Sequence, residues 1–206
     1  MKRIIHCEEK WIFPFVEYSP EKITGKLPLV IQLHGAGERG TDIDLVDVHG
    51  FSKLFAKGYD YNCITVMPQC PSDTFWAARV ESIIKFIEQI CENYDIDKDR
   101  ISLTGISMGG YGTWFTAMAR PDIFSCIAPV CGGGMPWCAP MLKMPVRAFH
   151  GTADKTVLPH NTEDMVAKLE ALGRPVEYIK LEGVGHNAQD YTYDDELMRW
   201  LIGNKK

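Results

Sequence analysis

Short, nearly unbroken apolar runs alternating with amphipathic stretches constrain this chain more than any other feature of it. The strand candidates are Leu29-Val30-Ile31-Gln32-Leu33, Ile64-Thr65-Val66-Met67, Ile101-Ser102-Leu103-Thr104, Cys126-Ile127-Ala128-Pro129-Val130, Val146-Arg147-Ala148-Phe149 and Val176-Glu177-Tyr178-Ile179. The first five are almost continuous in apolar or small residues, the pattern of strands covered by helices on both faces. Between them, Val80, Ile83, Ile84, Ile87, Ile90 and Cys91 recur at helical spacing, and so do Met165, Val166, Leu169 and Leu172, with Gly173 and Pro175 supplying a stop. Leu197, Met198, Trp200 and Leu201 predict a short terminal helix, and the region from Trp11 to Tyr18, with Pro14 inside it, predicts an edge strand or hairpin. Strands alternating with helices imply an α/β fold: a mainly parallel sheet, right-handed crossovers, and chemistry gathered beyond the carboxyl ends of the strands.

Composition narrows the class further. The 206 residues suit one domain, residues 1–206, with no repeat or low-complexity linker to divide it. The balance of 22 Lys and Arg against 27 Asp and Glu gives a net charge of −5, which provides no electrostatic reason to expect nucleic acid or an anionic membrane as partner. No apolar stretch approaches the length of a membrane span, and the apolar run within Met1 to Lys10 is too short for a signal peptide. The seven cysteines show no C-x-x-C spacing, so they read as free thiols in a reducing cytoplasm. With no H-E-x-x-H, calcium loop or dinucleotide fingerprint, neither metal nor cofactor is expected.

Chemistry enters at four loops. After the Ile101 strand comes Gly105-Ile106-Ser107-Met108-Gly109, a G-x-S-x-G placed between a strand and a helix-compatible run. A serine on such a turn has a strained backbone, needs small neighbours, and sits at a helix N-terminus that favours developing negative charge. Ser107 is therefore the candidate nucleophile. A hydroxyl needs a base oriented by a third group, and in this architecture acid and then histidine follow on later strands. Asp154 lies just past the Val146 strand and His186 just past the Val176 strand. Asp154 is expected to accept the Nδ1 proton of His186, turning Nε2 toward Ser107. The fourth loop, His34-Gly35-Ala36-Gly37-Glu38-Arg39-Gly40, has the glycines that let amides face a site, so the N–H groups of Ala36 and Met108 are assigned as oxyanion donors. His34 and His150 read as buried histidines shaping their loops.

These motifs, in this order, resemble the α/β-hydrolase family, and within it the small carboxylesterase, phospholipase-like and dienelactone-hydrolase-like branch that includes feruloyl esterases. Leu33 to Gly40, Pro68-Gln69-Cys70, Gly105 to Gly110, His150 to Asp154 and Gly183-Val184-Gly185-His186-Asn187 carry the likeness, which runs from about Leu27 onward. The resemblance implies a serine esterase acting on a small-molecule ester, with Ser107, Asp154 and His186 as triad and Ala36 and Met108 as oxyanion donors. Two positions depart from it. Val157-Leu158-Pro159 shifts a proline beyond the acid, and Gln189 stands where relatives often carry Trp, which opens or polarises the pocket.

Phe75, Trp76, Tyr111 and Trp137 are the candidates for an apolar pocket wall. The stretch from Gly132 to Met144 is the only room for a cap, so a minimal lid or none is expected. Two other functions share these features: a serine peptidase or amidase acting on small peptides, and a non-catalytic ligand-binding protein of the same fold.

Overall fold

The computed structural model describes residues 1–23 and 25–206. The strands are β1 Lys2–His6, β2 Phe15–Ser19, β3 Leu27–Leu33, β4 Ile64–Pro68, β5 Ile96–Ile106, β6 Cys126–Val130, β7 Val146–Gly151 and β8 Val176–Leu181. The helices are α1 Ser52–Ala56, α2 Val80–Asn93, α3 Met108–Ala119, α4 His160–Ala171, α5 Gln189–Thr192 and α6 Asp195–Gly203. All eight strands join one sheet in the order β1-β2-β4-β3-β5-β6-β7-β8. β1 and β2 pair antiparallel, β2 is antiparallel to β4, and every pairing from β4 to β8 is parallel.

Alternation along β3 shows how the sheet divides the interior. Leu29, Ile31 and Leu33 face one core with Ile83, Phe86, Ile87 and Ile90 of α2, Trp114 of α3, and Met165 and Leu169 of α4. Val30 faces the other core with Leu54 and Phe55 of α1 and Leu197, Met198 and Leu201 of α6. Both faces of β3 are dry, which is why its sequence is a continuous apolar run rather than an alternating one.

Within the region from Trp11 to Tyr18 only β2 is a strand, with Pro14 just outside it; its antiparallel hairpin partner β1 lies before that region, and it is β1, not β2, that forms the edge of the sheet. The crossover from β6 to β7 holds only a 3-10 turn over Pro136–Met141, in line with a minimal lid. No helix among the described residues is long and apolar enough to cross a membrane.

Candidate active site

Ser107 joins β5 to α3 with φ 56° and ψ −117°, a conformation disfavoured for any residue with a side chain. Two glycines make this turn possible. A Cβ on Gly105 would lie 2.5 Å from the Gly109 carbonyl oxygen, and one on Gly109 would lie 2.1 Å from the Leu33 carbonyl oxygen. The turn is locked by Ser107 N–H donating to the Val130 carbonyl at 2.9 Å and Tyr111 N–H donating back to the Ser107 carbonyl at 3.0 Å. The serine side chain is thus fixed on a sharp elbow above the sheet.

Two later loops reach it. His186 Nε2 lies 2.8 Å from Ser107 Oγ, and His186 Nδ1 lies 2.7 Å from Asp154 Oδ2. The carboxylate can only accept, so Nδ1 carries the proton and Nε2 is free to accept the serine hydroxyl. Asp154 is buried, and Oδ1 accepts from the backbone N–H groups of Thr156 at 2.9 Å and Val157 at 3.0 Å. Burial pushes its proton affinity up. The bonds from His186, Val157 and Thr156 outweigh that and hold the carboxyl below its usual range. The two loops meet because Gly151 has no side chain: a Cβ there would sit 2.3 Å from the Val184 carbonyl oxygen. Thr152 N–H donates to Leu181 and Ala153 N–H to Val184, stitching the acid loop to the histidine loop.

The glycine-rich loop after β3 is held from below. Cys70 N–H donates to His34 Nε2 at 2.9 Å, so the His34 proton is on Nδ1, which donates to the Gly35 carbonyl at 2.6 Å. That carbonyl and the Ala36 N–H belong to one trans peptide and point in opposite directions. His34 therefore turns the Ala36 N–H away from itself, and Ala36 lines the cleft over Ser107. Among the described residues neither the Ala36 nor the Met108 N–H donates to a protein group. Arg39 Nε to the Ala36 carbonyl and Gln69 Nε2 to the Glu38 and Asp42 carbonyls complete the scaffold, which gives Pro68-Gln69-Cys70 its structural reason.

Burial pushes His34 down to about 4, with Arg39 adding to that and the Gly35 bond opposing it. The folded value lies below the unfolded one, so the unfolded chain binds the extra proton first and stability falls with pH. From about pH 6.5 down to about 4 this one group is expected to remove roughly 3 kcal/mol. Urea midpoints measured at both ends of that window for the wild type and His34→Gln should show a shallower pH dependence in the variant.

Two depressions flank the serine. One of about 290 Å³ is lined by Ala36, Glu38, His49, Thr156 and Gln189 together with Ser107 and His186. Glu38, His49, Thr156 and Gln189 bring polar side chains to its wall, and among the described residues His49 Nδ1 and Gln189 Oε1 are buried without a hydrogen-bond partner. The other, about 470 Å³, is an apolar groove of Phe75, Ala77, Met108, Tyr111, Phe115 and Gly134. Tyr111 and Phe75 thus lie where a pocket wall was expected, and Gln189 lies in the cleft with Ser107 and His186.

Trp76 and Trp137 do not line either depression. Trp76 is fully buried against Phe13 and His34, and its indole N–H donates to the His34 carbonyl at 3.0 Å, so it props the glycine-rich loop. Trp137 is 74% exposed on the 3-10 turn. Sequence reasoning passed over His49 and Phe115. For Phe115 a signal existed, since it follows Tyr111 by one helical turn and shares its face. Among the described residues, Cys131, His150 and Asp154 have potential ligand atoms within 4.8 Å of one another. The His150 nitrogens and Asp154 oxygens already face protein hydrogen-bond partners, which makes the group a poor fit for a metal ion.

A serine on a strand-helix elbow, joined to a histidine and an aspartate above a sheet of this strand order, defines the α/β-hydrolase class. Residues 17–123 match the BD-FAE family model, and the chain belongs to that family. It is 30% identical over 180 residues to the bifunctional acetylxylan esterase/xylanase XynS20E of Neocallimastix patriciarum, a match covering 84% of this chain and 23% of that protein. It is 27% identical over 155 residues to poly(3-hydroxyalkanoate) depolymerase C of Paucimonas lemoignei, covering 68% of this chain and 36% of the depolymerase. The chain therefore spans well under half the length of these curated relatives. Among solved structures it is similar to a thermostable esterase, with a TM-score of 0.83 and 29% identity over 100% of this chain and 63% of that one.

Proposed function

We propose that this chain is a serine hydrolase that cleaves a small carboxylic ester through an acyl-enzyme on Ser107. The observation that carries the reading is the continuous hydrogen-bonded chain from Ser107 Oγ through His186 to Asp154. It ends on an elbow flanked by two N–H groups that make no protein hydrogen bond among the described residues. His186 Nε2 takes the hydroxyl proton as Oγ attacks the carbonyl carbon, and Asp154 holds the imidazolium that forms. The Ala36 and Met108 N–H groups receive the oxyanion, each contributing about 3 kcal/mol to the transition state. His186 then protonates the departing alcohol, and water repeats the sequence to release the acid.

The apolar groove beside Met108 suits the acyl group, and the cleft with Glu38, His49 and Gln189 suits a polar alcohol. Gln189 supports that division, because an amide presents hydrogen-bonding atoms where an indole would present an apolar face. The seven unpaired thiols support a reducing cytoplasm as the setting, and the net charge of −5 supports a partner that is neither nucleic acid nor membrane.

A fluorophosphonate probe is expected to label the wild type at Ser107 and to leave Ser107→Ala unlabelled. Hydrolysis of p-nitrophenyl acetate is expected to exceed that of an aminoacyl anilide. Faster anilide cleavage would favour the peptidase function instead. Folded protein that neither takes the probe nor turns over either compound would favour a ligand-binding role.

A further inference from the structure

Gly35 leaves room for two groups at once. A Cβ there would lie 3.2 Å from Glu38 Oε2 on one side and 4.0 Å from Ser107 Cβ on the other. The carboxylate oxygen is therefore no farther from the Ser107 Cβ than those two distances laid end to end. Glu38 is the last residue of the 3-10 turn Ala36–Glu38, and its carbonyl accepts from Gln69 Nε2 at 3.0 Å, so the stem of the side chain is fixed close to the Ala36 N–H. The side chain is 19% exposed, and it lines the cleft that also holds Ser107, His186, His49 and Gln189.

No charge in the protein answers this carboxylate. Among the described residues its oxygens accept no hydrogen bond and form no ion pair with lysine or arginine. Two imidazoles come nearest, His34 Nδ1 at 3.8 Å and His49 Nε2 at 4.0 Å, both beyond hydrogen-bond distance. Burial pushes His34 down to about 4, so it is uncharged near neutral pH, and its Nδ1 proton is committed to the Gly35 carbonyl. The neighbouring basic groups are engaged elsewhere. Arg39 donates to the Ala36 and Thr74 carbonyls, Lys53 pairs with Asp190 at 2.9 Å, and His186 is committed to Asp154 and Ser107.

A substrate that fills the cleft displaces the water on which this carboxylate depends. Beneath a neutral alcohol the charge is left without a partner in a drier place, and it repels the oxyanion that forms at the Ala36 N–H. A positive charge on the alcohol reverses both effects. We infer that Glu38 is a specificity-determining residue, and that the ester this site favours carries a cationic nitrogen on its alcohol, as in an amino alcohol or a quaternary ammonium alcohol. Ala36 and Ile106 line the cleft beside the carboxylate, and these apolar neighbours suit the carbon skeleton of such a cation.

The inference rests on the esterase reading, with the cleft as its alcohol side, and its test has one arm that needs no turnover. Acetylcholine and 3,3-dimethylbutyl acetate share a shape, the first with a charged nitrogen where the second has carbon, and both leave the same acetyl-enzyme. The ratio of their kcat/KM values therefore reports the charge on the departing alcohol and nothing later. In wild type at low salt the ratio is expected to favour acetylcholine by on the order of tenfold, and to shrink at about 1 M salt. Glu38→Gln should bring the low-salt ratio to about one, whereas Glu38→Asp, which keeps the charge, should retain most of it. A ratio of two esters cancels any general loss of activity from changing a residue of this loop. In the second arm, the amide NMR signals of Gly35 to Glu38 are titrated with choline and with 3,3-dimethylbutan-1-ol. Choline should bind wild type more tightly by a similar factor, and Glu38→Gln should not distinguish the two.

A wild-type ratio near one, or a preference that Glu38→Gln keeps, overturns the inference. If neither variant folds, wild type alone decides. Choline must then outbind the neutral alcohol at the Gly35 to Glu38 amides and lose that advantage in salt, and failure of either overturns it. If no ester is hydrolysed, that failure belongs to the esterase reading, and the amide titration still decides whether the cleft selects a cation.

Discussion

Replacing Ser107 by alanine is expected to lower kcat for ester hydrolysis by on the order of 10⁴ to 10⁶, the largest effect of any single substitution in this chain. The magnitude follows from what is lost and what is kept. Loss of Oγ removes covalent catalysis, and with it His186 loses the proton it is placed to accept at 2.8 Å. The Ala36 and Met108 N–H groups remain, so the residual rate should still exceed that of free water. KM should change little, because the groove and the cleft are formed by other side chains. Stability should also change little, because alanine inherits the φ of 56° with the same Cβ. Steady-state kinetics and a thermal melt on one preparation check all three expectations, and a variant retaining a tenth of wild-type kcat would remove Ser107 as nucleophile.

That the Ser107, Asp154 and His186 side chains meet was legible in the sequence because their loops carry glycines whose identity backbone geometry dictates. Gly105 and Gly109 flank the serine where no Cβ fits, and Gly151 precedes the acid where its loop touches the histidine loop. Such requirements are local in sequence and can be read from it. The pocket walls are set differently. Whether Trp76 faces a substrate or the core depends on Phe13 and His34, which reach it from distant parts of the chain, and no periodicity near Trp76 reveals them. Trp137 lies outside both depressions for the opposite reason, since an aromatic on a short turn packs only if a neighbouring element covers it.

Two elements escaped for reasons of charge. β1, Lys-Arg-Ile-Ile-His, is an exposed edge strand whose cations suit an edge and mask the strand pattern. β5 begins at Ile96, well before its apolar run, because Asp97 to Arg100 extend the strand into solvent. A strand seen only by its apolar residues looks as short as its buried part.

Gly109→Ala is expected to have the second largest effect, and it tests how the fold and the site depend on one contact. The new Cβ would meet the Leu33 carbonyl oxygen at 2.1 Å, the Leu33 carbonyl carbon at 2.6 Å and the His34 carbonyl oxygen at 2.8 Å. All three are backbone atoms at the end of β3, which is paired on both sides in the sheet, so no flexible side chain can yield. Relief requires α3 to lift or the end of β3 to move, at a cost of about 3 kcal/mol or more. The displaced atoms lead directly into the peptide that presents the Ala36 N–H. Any protein that still folds should therefore lose kcat as well, by roughly 10²-fold if that donor is misplaced. Gly203→Ala, where an added Cβ meets nothing within 4 Å, serves as the control and should stay within about 0.5 kcal/mol of wild type in a urea titration. A Gly109→Ala protein as stable and as active as that control would mean that the strand end and the elbow are not in contact, and the geometry assigned to the oxyanion loop would go with it.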